Sequence, residues 1–179
     1  MLNKTVGIII AKENSIRFKG KNNHYINGEP LFWHNVQCLI DSGIQDIYVA
    51  TDSSLIKEYC KNEPVHIMDR NVNIIEDEQA WFDVIKYCYY TLPEKYDIIV
   101  SILANCIYHA PSDVYRGINL LEKNTHLKEI RSFDPAGSEN GIIMLRSDVL
   151  NKHEISNYLG CIHTSGKEIH YIEDIEDIC

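Results

Sequence analysis

The chain has 179 residues, 45% of them apolar and 24% charged, with a net charge of −9 when histidines are neutral. That length supports one core and one domain over residues 1–179, with a globular composition. No stretch reaches the roughly 20 apolar residues of a membrane helix, and an acidic chain without a basic helix excludes a nucleic-acid binder.

In chain order, Val6–Ile10 is apolar apart from Gly7, the pattern of a strand buried on both faces. Gly28-Glu29-Pro30 is a turn signal, and Phe32, Val36, Leu39 and Ile40 then recur at helical spacing until Asp41-Ser42-Gly43. Ile47–Ala50 predicts a short strand, and Thr51–Ser54 signals the start of a helix through Leu55 to Cys60. Val65–Met68 is a weaker strand, followed by polar Asp69-Arg70-Asn71. A helix is expected from about Asp77 to Tyr90, with its aromatic residues as packing core. Asp97–Leu103 is the second strongly apolar strand, Pro111-Ser112-Asp113 caps a helix through Leu121, and Gly141–Leu145 is another buried strand. The chain then closes with Glu168–Ile172 and an acidic tail. Strands alternating with helices mean βαβ units and a mostly parallel sheet with helices on both faces, whose ligands bind at the carboxyl ends of the strands.

The residues leaving the first strand carry the clearest chemical signal. Lys12, Arg17, Lys19 and Lys21 bring four cations into ten positions, mixed with Asn14, Ser15, Gly20 and Asn22. A polyphosphate would find donors and neutralising charge there, with Lys21 expected to be exposed. A plain solvated loop is the alternative. At the other end, Glu173, Asp174, Glu176 and Asp177 offer hard oxygen ligands for Mg²⁺, or form a solvated acidic segment.

The eight histidines show no HExxH and no i,i+4 pair, which disfavours zinc. Six cysteines lack any CxxC pair and read as reduced thiols, so with a first strand that leaves no room for a leader the expected compartment is the cytoplasm. Cys106 has no visible histidine–acid partnership to make it a nucleophile. Arg131 could pair with an acidic acceptor or lie in a surface ion pair.

Residues Ala11–Asn22 resemble the signature loop of the acylneuraminate cytidylyltransferases, whose pattern runs roughly A-R-G-G-S-K-x-I-x-x-K-N. Ile26–Leu31 is similar to that family's INGKPL turn, and Ile47–Ser53 resembles its VVVSTDS strand end. Asn140–Met144 is similar to NGAIYI, and Ile172–Ile178 to the closing VDTxEDL. The resemblance is strongest over residues 6–60. It implies a Rossmann-like three-layer α/β sandwich and Mg²⁺-dependent transfer of CMP from CTP to an acidic acceptor, with pyrophosphate leaving. By the same resemblance Lys12, Arg17 and Lys21 are the catalytic cations. Ala11, Lys12, Asn14, Ser15, Lys21, Asn22, Arg70 and Asn105 would bind the nucleotide, His109 the acceptor beside the Arg131 named above, and Glu173 and Asp174 the metal; a surface salt bridge with Asp69 or Asp77 is the alternative for Arg70. A homodimer is left open.

The chain also departs from the family. Lys12-Glu13-Asn14 stands where the family has Arg-Gly-Gly, and the family's QPTSPLR is here Leu103–His109, with Asn105 available in place of the lost glutamine. Residues 122–140 are too few for the family's sugar-binding and dimerisation insert, which favours a smaller acceptor such as a phosphonate or a short sugar acid. Two other readings stand beside this one: a nucleotidyltransferase using another NTP, and a non-catalytic nucleotide-binding domain.

Overall fold

An apolar run with no polar face is stable as a strand only where both its faces meet protein. In the computed structural model, which describes residues 3–13, 18–70, 80–151, 158–176 and 178, the opening run takes such a place. The strands are β1 (Thr5–Ala11), β2 (Tyr25–Ile26), β3 (Glu29–Pro30), β4 (Asp46–Thr51), β5 (His66–Asp69), β6 (Ile98–Ile102), β7 (Cys106–Ile107), β8 (Glu129–Phe133), β9 (Glu139–Arg146), β10 (Leu159–His163) and β11 (Lys167–Glu168). The helices are α1 (Leu31–Asp41), α2 (Ser54–Cys60), α3 (Ala80–Thr91), α4 (Pro111–Lys123) and the four-residue α5 (Glu173–Glu176).

Seven strands form one sheet in the order β10-β8-β9-β6-β1-β4-β5. Strand β1 is parallel to both neighbours, with Val6 opposite Asp46 on β4 and Ile99 on β6. Only β9 runs against its partners β6 and β8, so the sheet is mostly parallel. Period-two alternation divides β1 between two clusters. Val6 and Ile8 meet α3 through Val84, Ile85 and Cys88. Ile9 and Ala11 meet α1, α2 and α4 through Phe32, Val36, Ile56 and Val114. Helices on both faces of the sheet make the expected three layers.

The apolar strands and α1, α2 and α4 lie where their sequence patterns predict them. The start of the helix expected from Asp77 lies outside the described residues, which take it up at Ala80. Its aromatic residues divide: Tyr89 is buried, whereas Tyr87 and Tyr90 are substantially exposed. Cys38, Cys60, Cys88 and Cys106 are buried free thiols, and burial pushes Cys38, Cys60 and Cys88 up to about 12.

Lys167–Glu168 pairs against β7, and the ladder stops there. Beyond it the Ile169 side chain enters a third, small cluster with Ile26, Leu31, Ile107 and Ile175. The N–H groups of His170 and Tyr171 are taken by the Asp174 carboxylate at 2.6 and 2.8 Å, which turns the chain out of the ladder. Strands β8 and β10 are additions to the sequence reading.

Candidate active site

The carboxyl ends of β1, β4, β5 and β6 share one rim, and β9, being antiparallel, contributes its first residues to it. The chain runs from β1 outward through β4 and β5, then returns to the other side of β1 as β6. The crevice between β1 and β6 is therefore the switch point at which open α/β sheets bind ligands.

The loop leaving β1 is fastened to the end of β4 at three points. Thr51 Oγ1 donates to the Ala11 carbonyl (2.6 Å), the Glu13 N–H donates to Asp52 Oδ1 (2.8 Å), and Asn23 Nδ2 donates to Ser53 Oγ (3.2 Å). Ser53 precedes α2 but makes no side-chain cap to it, its hydroxyl being engaged by Asn23 instead. Within the loop, Asn22 Nδ2 donates to the Lys12 carbonyl at 2.9 Å, so Asn22 shapes the turn that leaves the Lys12 side chain exposed. Asn14, Ser15 and Arg17 lie outside the described residues.

The two ends of the chain meet here. The Ile169 carbonyl accepts from Lys21 Nζ (2.9 Å) and from Asn105 Nδ2 (3.1 Å), while the Ile169 N–H donates to the Asn105 carbonyl (2.7 Å). Lys21 is 9% exposed, not exposed as expected, because the segment after β11 folds over it. Bonds from the Tyr171 and His170 N–H groups hold the Asp174 carboxyl below its ordinary value, and Glu173 beside it is exposed. Mg²⁺ takes one or two carboxylates and completes its shell with phosphates and water. An ionised Asp174 beside an exposed Glu173 suits that chemistry. Among the described residues no three His, Cys, Asp or Glu gather as a self-sufficient metal cage.

Two sequence-level site residues lie toward β9. The His109 ring, 9% exposed, sets Nε2 2.8 Å from the Asn140 carbonyl, and burial lowers its pKa despite that bond and nearby Asp113. Asn140 in turn donates to the Thr164 and Gly166 carbonyls at 3.3 and 3.0 Å. Packing here is tight enough to require glycine twice. A Cβ on Gly141 (φ 107°) would lie 2.2 Å from Cys106 Sγ, and one on Gly166 would lie 2.0 Å from His109 Cε1. Cys106 has its pKa raised by burial, as suits a packing thiol rather than a nucleophile.

Arg131 stands apart, within β8 opposite Ile143 and Cys161. Its Nε donates to Glu129 at 2.5 Å and its Nη1 to both carboxylate oxygens of Glu139 at 2.9 and 3.0 Å. Burial pulls the guanidinium pKa down, but those two carboxylates outweigh it and leave the pKa raised. Arg70 follows β5 on the rim, its N–H donating to the Thr51 carbonyl at 3.2 Å. The structure thus gathers Ala11, Lys12, Lys21, Asn22 and Asn105 with the segment bearing Glu173 and Asp174. It sets Arg131 in an ion-pair network and His109 in a buried knot.

The sequence reading missed Asn35, which is 1% exposed on α1 and donates to the Cys106 (2.7 Å) and Leu103 (3.2 Å) carbonyls, bracketing the turn that carries Asn105. A lone amide on the apolar stripe of Phe32, Val36 and Leu39 was its visible signal. The pinning roles of Thr51, Asp52 and Asn140 left no comparable trace.

A sequence model of the family described as cytidylyltransferase matches residues 6–139. The N-acylneuraminate cytidylyltransferases of Streptococcus agalactiae serotypes V and III are each 30% identical over 86 residues, covering 46% of this chain and 21% of theirs. The match thus spans about a fifth of the length of those curated relatives. Among solved structures, that of CMP:2-keto-3-deoxy-manno-octonic acid synthetase complexed with CTP is similar at a TM-score of 0.81 and 15% identity, over 98% of this chain and 96% of that one. A putative glucose-1-phosphate thymidylyltransferase from Bacillus anthracis in complex with a sucrose gives 0.75 and 15%, over 97% and 93%. At those identities the likeness is one of fold.

Proposed function

The chain belongs to the cytidylyltransferase family, and from that membership we propose that it transfers CMP from CTP to a small acidic acceptor, a sugar acid or a phosphonate. An acceptor oxygen attacks the α-phosphorus, the bond to the α–β bridging oxygen breaks, and pyrophosphate leaves with the electron pair. The observation that carries this reading is the double hold of Lys21 and Asn105 on the Ile169 carbonyl, which joins the end of the loop after β1 to the segment leading into Glu173 and Asp174.

Negative charge grows on the leaving oxygens, and cations already in place stabilise it without reorganising. Lys12, exposed at the mouth of the loop, and Lys21, deeper in the crevice, take that part. Asn22 holds the Lys12 carbonyl and Asp52 the Glu13 N–H, which fixes the start of the loop. Glu173 and Asp174 would hold Mg²⁺, which supplies charge neutralisation on the phosphates. Asn105 faces the crevice from the β6 side.

A pyrophosphate-release assay with CTP, Mg²⁺ and a panel of sialic, deoxy-octulosonic and phosphonate acceptors tests the proposal. No release from any acceptor, with no thermal shift by CTP and Mg²⁺, refutes it. A second reading, nucleotide binding without turnover, is favoured by Lys21, Asn22 and Asn105 each bonding the protein's own carbonyls. CTP binding without pyrophosphate release identifies that case, and parallel shifts with UTP, ATP and GTP report the base preference.

A further inference from the structure

Among the described residues, two that are not glycine hold a positive φ, Asn27 at 53° and Tyr108 at 71°. Asn27 precedes Gly28 in the tight turn between β2 and β3, where asparagine is an ordinary choice. Tyr108 has no such excuse, since a bulky side chain in that region is a steric outlier. Its backbone is held from three sides. Ile107 is paired with Lys167, Ser165 Oγ donates to the Tyr108 carbonyl (3.1 Å), and the next residue is tied through His109 to Asn140.

Glycine would adopt this shape without strain, so the aromatic ring must return something for the strain it causes. It is not core packing, because Tyr108 is 48% exposed and belongs to none of the three apolar clusters. Nor is it a local hydrogen bond, because among the described residues the phenol hydroxyl has no partner. What remains is a ligand, since strain of this kind collects at binding sites whose surroundings over-determine it. Tyr108 lies beyond Asn105, tied to the segment after β10 through Ser165 and, through His109, to Asn140 at the start of β9.

We propose that Tyr108 is a specificity-determining residue for the acceptor, its exposed ring stacking on the apolar face of a polyhydroxylated acid. The proposal rests on the cytidylyltransferase reading above. The test compares wild type with Tyr108→Gly and Tyr108→Phe, and with Tyr115→Ala as control, Tyr115 being 66% exposed on α4. Melting temperature is read without ligand, and KM for CTP and for 3-deoxy-octulosonic and sialic acids is read by pyrophosphate release.

Relief of the strained φ in Tyr108→Gly raises the melting temperature by about 2–4 °C, partly offset by glycine's freedom in the unfolded chain. Its acceptor KM rises about 3–10-fold, the worth of one aromatic contact, with the CTP KM unchanged. Tyr108→Phe recovers most of that loss, and Tyr115→Ala alters neither reading. A Tyr108→Gly protein that melts at or below wild type, or keeps the wild-type acceptor KM, overturns the proposal, as does a phenylalanine variant no better than glycine. In those cases wild type still turns over and the family reading stands. A wild type that releases no pyrophosphate with any acceptor removes that reading and this proposal with it.

Discussion

Asn35→Leu is the sharpest probe of how the fold positions the site. The substitution keeps the branched outline but removes the amide that donates to the Cys106 carbonyl at 2.7 Å and to the Leu103 carbonyl at 3.2 Å. The Leu103 carbonyl retains the Cys106 N–H at 3.0 Å, so one acceptor loses a close partner while the other loses a long bond. A buried carbonyl left unpaired costs about 1–3 kcal/mol, and the longer bond adds a fraction of that. A total of roughly 2–3 kcal/mol lowers the melting temperature of a chain this size by about 4–12 °C. Urea unfolding measures the loss directly, and the thermal shift produced by CTP and Mg²⁺ reports whether Asn105 has moved. Asn35→Ala adds a cavity and should cost more than Asn35→Leu. An Asn35→Leu protein within 0.5 kcal/mol of wild type on the order-of-magnitude scale of surface substitutions would refute the bracing argument.

Two further predictions concern charge. Arg131→Ala leaves Glu129, 2% exposed, without its partner, and is expected to cost about 3–5 kcal/mol in urea unfolding, with Arg131→Lys intermediate because lysine lacks the fork that reaches both glutamates. Asp174 has a folded-state pKa below its ordinary 3.8, so its contribution to holding the segment after β11 is full above 3.8 and is lost as pH falls through the lowered value. Amide exchange at His170 and Tyr171 should therefore accelerate in that acidic window, and Asp174→Ala should be fast at every pH.

The sheet's centre was legible because its strands are apolar on both faces, a pattern no surface segment imitates. β8 escaped notice because Ser132 stands where alternation calls for an apolar residue, and Glu129 and Arg131 answer each other's charge rather than facing solvent. β10 escaped because it is an edge strand, with Leu159, Cys161 and His163 exposed and Gly160 packed against Ile130. Beyond β11 the chain leaves the ladder because the crevice holds Ile169 and the Asp174 carboxylate takes the next two N–H groups. The rim residues could be read from motif and topology together. Asn35 could not, because its partners are main-chain carbonyls 68 and 71 residues away, and carbonyls leave no mark on a sequence. Lys21 looked like a surface lysine for the same reason, its acceptor lying 148 residues on.

The third apolar cluster is small and separate from the two that clamp the sheet. Units of that size come loose at a fraction of the free energy of global unfolding. Peeling Ile169 and Ile175 off Ile26, Leu31 and Ile107 would uncover Lys21 while β1 stays sandwiched. The crevice would then open without unfolding the scaffold, and the Ile169 amide should exchange with deuterium well ahead of those in β1. Exchange of the two at one common rate would mean that the crevice opens only when the whole domain does.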